Sequence, residues 1–371
     1  AHFFEHMMFR GTEKYPNYDG VTERMGAARN AFTSNDLTVY YLVVASDYLE
    51  DVMDLESDRF RNLAYDEAEF RTEAGAVLGE YQNSAFSPFL VLDRAVRTTA
   101  FEKHTYRHQT IGFEEDVRAM PEGFDYSLSF YDRFYRPENA VVVIAGDFDF
   151  DEAEAMLRRY YDEWEPGYVA PKVPTEPPQA EARSTEVEYP GRTLPILSIN
   201  FKAPAWDPND QVAVATEVLG ELAFGENSEI YRKLVIEEQR VQVLAADFDL
   251  ARDPGLVSIN AMVNDPSDVE GVREDIMAAV SEARTEAFSA ERLADTKSNL
   301  KYGFLMGMET AQSVAFSLIG PIINTGTLEA IDEYYATLEK VDTGTVQQAA
   351  QQVLDEKGMT VVTMSQAGGD S

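Results

Sequence analysis

Apolar positions set the elements before any chemistry is considered. Between residues 30 and 46, NAFTSNDLTVYYLVVAS is rich in Thr, Val and Tyr and predicts a strand. YLEDVMDLESDRFRNL from Tyr48 and DEAEFRTEAGAVLGEYQNSA from Asp66 carry helical patterns, the second long and free of proline. Residues 2–10 predict a helix that stops at Gly11, and another helix falls near residues 123–134. PENAVVVIAGDF then reads as a turn leading into a buried strand.

EPGYVAPKVPTEPPQAEARS interrupts this pattern with prolines at 166, 171, 174, 177 and 178, which fix φ and remove donors. Residues 166–184 are therefore expected to link two domains, 1–165 and 185–371. The second half repeats the grammar of the first. RTLPILSINFKAP predicts a strand, DQVAVATEVLGELAF a helix, VQVLAADFDL and GLVSINAMV a strand pair, and several helices lead to GMTVVTMSQ. Both halves end on a Val-rich strand after a polar turn, ENAVVVIAG and KGMTVVTMS. The expected fold class is α+β, two similar domains with helices packed on mostly antiparallel sheets.

Composition narrows what such a fold can do. No apolar run approaches the roughly 18–20 residues of a membrane-spanning helix. With 66 acidic and 31 basic residues the net charge is −35, which argues against nucleic acid and anionic membrane surfaces as partners. Adaptation to a salty environment and selection for basic substrates both account for that charge. Cysteine is absent, so any metal must be held by imidazole and carboxylate.

Of four histidines, two stand in AHFFEHMMFRGTEKYP at the start of the chain. On a helix His2 and His6 lie at i and i+4, so both imidazoles leave one face and can reach a single zinc ion, with Glu5 on the same side. This is the H-x-x-E-H order, the inverse of H-E-x-x-H. Two histidines leave zinc under-coordinated, and the helix from Asp66 offers Glu73 and Glu80, seven apart along one face. His104 and His108 repeat the i,i+4 spacing within a segment that reads as loop, where packing is expected rather than metal.

AHFFEHMMFRGTEKYP, NAFTSNDLTVYY, EAGAVLGE, FEKHTYRHQTIG and FYRPENAVVVIAGDFD, in that order and spacing, resemble the pitrilysin and insulinase family of zinc peptidases. The similarity is to its short bacterial members that are similar to the mitochondrial processing peptidase. The resemblance implies one Zn2+ held by His2, His6 and Glu80, with Glu5 as general base and Glu73 as an auxiliary glutamate orienting the site. It implies that Asn30, Ala31 and Phe32 begin the edge strand on which the substrate backbone is laid, and that the two domains form half of a clamshell. His6 and Glu80 stand two or three residues closer than is usual in the family, so Gln82 occupies the place a fixed spacing would give the ligand.

Family members that complete their own site carry an Arg and a Tyr seven residues apart in the second half. Here those positions hold Val235 and Gln242. The resemblance therefore implies a homologous partner subunit supplying the pair, or a homodimer with another substrate clamp; a non-catalytic, chaperone-like homologue is the alternative of a different class. The chain opens inside a helical pattern with no N-cap, so its leading strands are expected to be missing, and a bacterial periplasmic or secreted location is favoured over a cytoplasmic one.

Overall fold

A computed structural model describes residues 1–368. In chain order its first elements are α1 (His2–Met7), α2 (Tyr18–Arg24), β1 (Ala28–Thr33), β2 (Thr38–Val43), α3 (Leu49–Asn62), α4 (Glu67–Ser84), α5 (Pro88–Ala100), α6 (Glu114–Ala119), α7 (Phe124–Phe134) and α8 (Phe150–Tyr161). After the Pro-rich segment come β3 (Arg183–Tyr189), β4 (Ile196–Lys202), α9 (Gln211–Phe224), β5 (Val241–Asp247), β6 (Leu256–Val263), several helices and β7 (Met359–Gln366). The fold is α+β, as the sequence leads one to expect. Among the described residues no single helix is long and apolar enough to cross a membrane.

Two compact units divide the chain: Ala1–Ser84, His108–Val173 and Thr310–Ala315 form one, and Ala85–Arg107, Pro174–Glu309 and Phe316 onward the other. A single cut at the Pro-rich segment does not reproduce this division, because α5 packs with the later strands. Leu92 and Val96 of α5 bury themselves against Ile196, Val362 and Met364.

The second unit holds a five-stranded sheet in the order β3-β7-β4-β6-β5, antiparallel throughout except for the β3·β7 pair. On β4, Leu197, Ile199 and Phe201 face a core built with α9 and the helices Val269–Thr285 and Thr343–Val353. Its alternate residue Ile196 faces α5. Cover on both faces is why all six residues of ILSINF are buried, the polar Ser198 and Asn200 included. Glu217 of α9 accepts a hydrogen bond from Tyr334 Oη at 2.7 Å, and burial pushes its carboxyl up to about 7. Native Glu217 thus keeps a proton that the unfolded chain has released, so stability is expected to fall between about pH 4.5 and 7. Glu217→Gln should flatten that slope in urea titrations run across this range.

The first unit carries the opening residues. The stretch 30–46, expected as one strand, is a hairpin: β1 and β2 pair with Asn30 opposite Tyr41 and Phe32 opposite Val39, and Ser34 N–H donates to Leu37 O at the turn. Ser34-Asn35-Asp36 is turn chemistry hidden by the β-rich residues around it. AVVVIAG, expected as a buried strand, forms none; Val141 is 61% exposed and Val142 46%. Branched side chains favour extended backbone, but a strand exists only where a neighbour supplies its hydrogen bonds, and here no described segment does.

The first helix is shorter than expected. After Met7 the chain tightens into i→i−3 bonds, Phe9 N–H to His6 O and Arg10 N–H to Met7 O. Gly11 then turns the chain at φ +98°, where a Cβ would meet Tyr15 O at 2.5 Å.

Candidate metal centre

α1 presents two faces. Phe4 and Met7 are buried on one, with the Phe4 ring stacked on Phe130 at 5.0 Å. His2 and His6 lie on another, their ring centroids 4.9 Å apart. Phe3 meets Phe70 of α4 at 4.9 Å, and this contact sets α4 beside α1. Phe70, Ala74, Val77 and Tyr81 bury one stripe of α4, which leaves Glu73 and Glu80 facing the imidazoles two turns apart.

The result is convergence. Glu80 Oε1 lies 3.5 Å from His2 Nε2 and Glu80 Oε2 3.4 Å from His6 Nε2. One ligand atom from each of the three residues falls within 4.8 Å of the others. Four-coordinate zinc with bonds of about 2.0–2.1 Å spaces its ligand atoms about 3.4 Å apart, so the donor set and its spacing fit a zinc ion. Glu80 is about half exposed and the histidines are largely covered, which leaves the carboxylate side open to an incoming molecule.

Glu73 does not join the trio. Its Oε1 accepts from His6 Nδ1 at 2.9 Å, and Arg10 donates to its other oxygen. The His6 hydrogen bond holds the Glu73 carboxyl below its ordinary range and raises the His6 imidazole. An ionised carboxylate can only accept, so Nδ1 carries the proton and Nε2 keeps its lone pair for a metal. His2 behaves oppositely: burial lowers its proton affinity, and its buried Nδ1 has no hydrogen-bond partner among the described residues.

Glu5 follows the same helix turn. Its Oε2 accepts from Thr33 Oγ1 at 2.6 Å, which ties it to the end of β1. Glu5 and His6 line a cavity of about 380 Å³ together with Arg10, Asp19, Asn30 and Glu73. Asn30 turns its side-chain oxygen to Ala31 N–H, Ala31 is buried and Phe32 is 39% exposed. β1 is paired with β2 along one edge, and no described strand lies along the other.

The chain's residues match known proteins in two blocks. Residues 1–113 match the family described as Insulinase (Peptidase family M16), and residues 125–300 match the Peptidase M16 inactive domain. The chain belongs to peptidase family M16. It is 25% identical over 348 residues to the zinc protease PqqE of Helicobacter pylori, covering 90% of this chain and 76% of that one. To a probable mitochondrial-processing peptidase subunit beta of Arabidopsis thaliana it is 22% identical, over 97% and 69% of the two chains. The crystal structure of a protease from Helicobacter pylori superimposes with a TM-score of 0.89 at 23% identity, covering 98% of this chain and 88% of that chain, which shows the fold.

In this M16 chain the second histidine pair has partners of its own. His104 is buried; its Nδ1 accepts from Tyr106 N–H at 3.1 Å and its Nε2 faces Asp253 at 3.6 Å. His108 Nδ1 meets Gln109 O at 2.8 Å. Val235 falls within a π-helical turn, Arg232–Glu237, and Gln242 within β5. Three supports of the centre escape sequence reasoning: Thr33, Arg10 and Arg59. Each reaches a residue 28 to 63 positions away, and no spacing rule links the two.

Proposed function

We propose that this chain is the zinc-bearing subunit of a metalloendopeptidase that hydrolyses extended or unfolded peptide segments. The meeting of His2, His6 and Glu80 beside Glu5 carries this reading. His2 and His6 through their Nε2 atoms and Glu80 through its carboxylate would hold the ion. Zinc bound there supplies Lewis acidity, polarising a peptide carbonyl and making water acidic near neutral pH. Glu5 accepts a proton from the water that attacks the carbonyl carbon and returns it to the leaving amine as the C–N bond breaks. Thr33 holds one oxygen of that base and leaves the other free to work. Glu73 fixes the His6 tautomer.

The edge of β1 away from β2 offers the backbone on which a peptide can add as a strand, beginning at Asn30, Ala31 and Phe32. Selection would then act on extended backbone first. Val235 and Gln242 carry no charge to clamp a substrate, and a relative named as a subunit favours a homologous partner that supplies the missing Arg and Tyr.

Glu80→Gln tests the metal site directly. An amide is a poor zinc ligand, so affinity measured by competition with a chelator should fall by more than the roughly 10–100-fold that outer partners control, and peptide hydrolysis should fall with it. Wild-type protein that takes up no zinc, or a variant that binds it as tightly, would remove the reading.

A further inference from the structure

The β1·β2 hairpin closes on Thr33 and Thr38, the last register pair before its turn. Beyond them Ser34 N–H donates to Leu37 O at 2.9 Å, so Thr33 and Thr38 exchange no backbone hydrogen bonds with each other. Pairs of this kind bring their side chains closest. The two hydroxyl oxygens lie 3.2 Å apart, and Thr33 Oγ1 is also 2.6 Å from Glu5 Oε2.

Donor roles follow from the acceptor. An ionised carboxylate only accepts, so Thr33 spends its single hydroxyl proton on Glu5. The proton between the two threonines therefore belongs to Thr38, whose hydroxyl has no other hydrogen bond among the described residues. The hydroxyls form a directed relay, Thr38 to Thr33 to Glu5, in which each bond polarises the next. Both threonines are branched at Cβ and stiff at χ1, so the relay fixes Glu5 Oε2 relative to the hairpin. That hairpin also carries the open edge of β1. By the alternation of the ladder Thr33 turns its own backbone N–H and C=O toward this edge, where a peptide would add as a strand. Base and peptide thus share one frame.

We propose that Thr38 is a positioning residue for peptide hydrolysis: through the Thr33 hydroxyl it fixes the base Glu5 against the strand that receives the substrate. This inference rests on the reading of Glu5 as general base. Thr38 acts through Thr33 and handles no proton of the reaction itself.

Thr38→Val keeps the Cβ branch and the strand preference and removes the hydroxyl. In the zinc-loaded enzyme it should lower kcat about fivefold, the worth of one ordinary hydrogen bond, with KM and zinc stoichiometry unchanged. Thr38→Ser restores a hydroxyl and should return kcat to the wild-type range. Added to Thr33→Val, which cuts the relay in the middle, Thr38→Val should cost nothing further. In zinc-free protein the Thr33 hydroxyl proton should exchange slowly enough to be seen by NMR, and faster in Thr38→Val. Unchanged kcat in Thr38→Val, a loss confined to KM, a serine variant as slow as the valine one, or additive losses would each overturn the proposal. So would a Thr33 hydroxyl proton that is missing in wild type or indifferent to Thr38. Should Glu5→Gln keep near-normal turnover, the base reading falls, and the hydroxyl proton alone then decides whether Thr38 directs Thr33 at Glu5.

Discussion

Glu5→Gln is expected to leave zinc in place and slow peptide hydrolysis by about 10²–10⁴-fold, the range supplied by a positioned acid–base group. Glutamine has the shape of glutamate and keeps an oxygen for the Thr33 hydroxyl, which lies 2.6 Å from the native carboxylate. The substitution therefore preserves packing and orientation and removes only the capacity to take a proton and give it back. His2, His6 and Glu80 are untouched, so metal content should stay at the wild-type level. The decisive comparison is kcat and zinc stoichiometry on the same preparation. Loss of activity together with loss of metal would assign Glu5 to holding the site, and near-normal turnover would place the base elsewhere.

The second large effect is on stability. Arg59 of α3 is 1% exposed; it pairs with Glu56 and donates through Nη1 to Met8 O at 3.3 Å. Its guanidinium lies 4.6 Å from the centroid of Tyr18, 5.1 Å from Tyr40 and 5.3 Å from Phe60. Arg59→Met keeps much of the volume but strands the buried Glu56 carboxylate, and breaking a buried pair in this way costs about 3–5 kcal/mol. Met8 follows α1 directly, so the turn that carries His2 and His6 loses its anchor as well. Urea unfolding should show the loss. Adding Glu56→Gln should recover part of it, since the uncompensated charge, not the missing contact, carries most of the cost. A variant within about 1 kcal/mol of wild type would mean that water reaches Glu56 and that the pair is not truly dry.

Both expectations turn on side chains that differ in how far the sequence announces them. His2, Glu5 and His6 share one helical turn, and a spacing of three or four residues is enough to place them on one face. The glutamate pair on α4 is legible in the same way, as a period of seven. Four of the five later strands, β4 to β7, could be read from their apolar runs, because each sends side chains into a core; β3 was not, and its first residues fall in the segment expected to be linker. The same reading fails for AVVVIAG, whose composition matches those strands but for which no described segment serves as a pairing partner. It also merges β1 and β2, because their four-residue turn lies inside a β-rich run.

The amino-acid order by itself determined the local geometry: which residues share a helix face, which segments extend, and the exclusion of thiolate ligands by the absence of cysteine. Periods of 2 and 3.6 residues are properties of a single element and need no partner. Tertiary packing alone decided that α4 stands beside α1, so that Glu80 meets both imidazoles, that Arg10 donates to Glu73, and that Thr33 reaches Glu5. Those contacts join residues 28 to 78 positions apart, and side-chain hydrogen bonds across such separations obey distance in space, which no periodicity along the chain encodes.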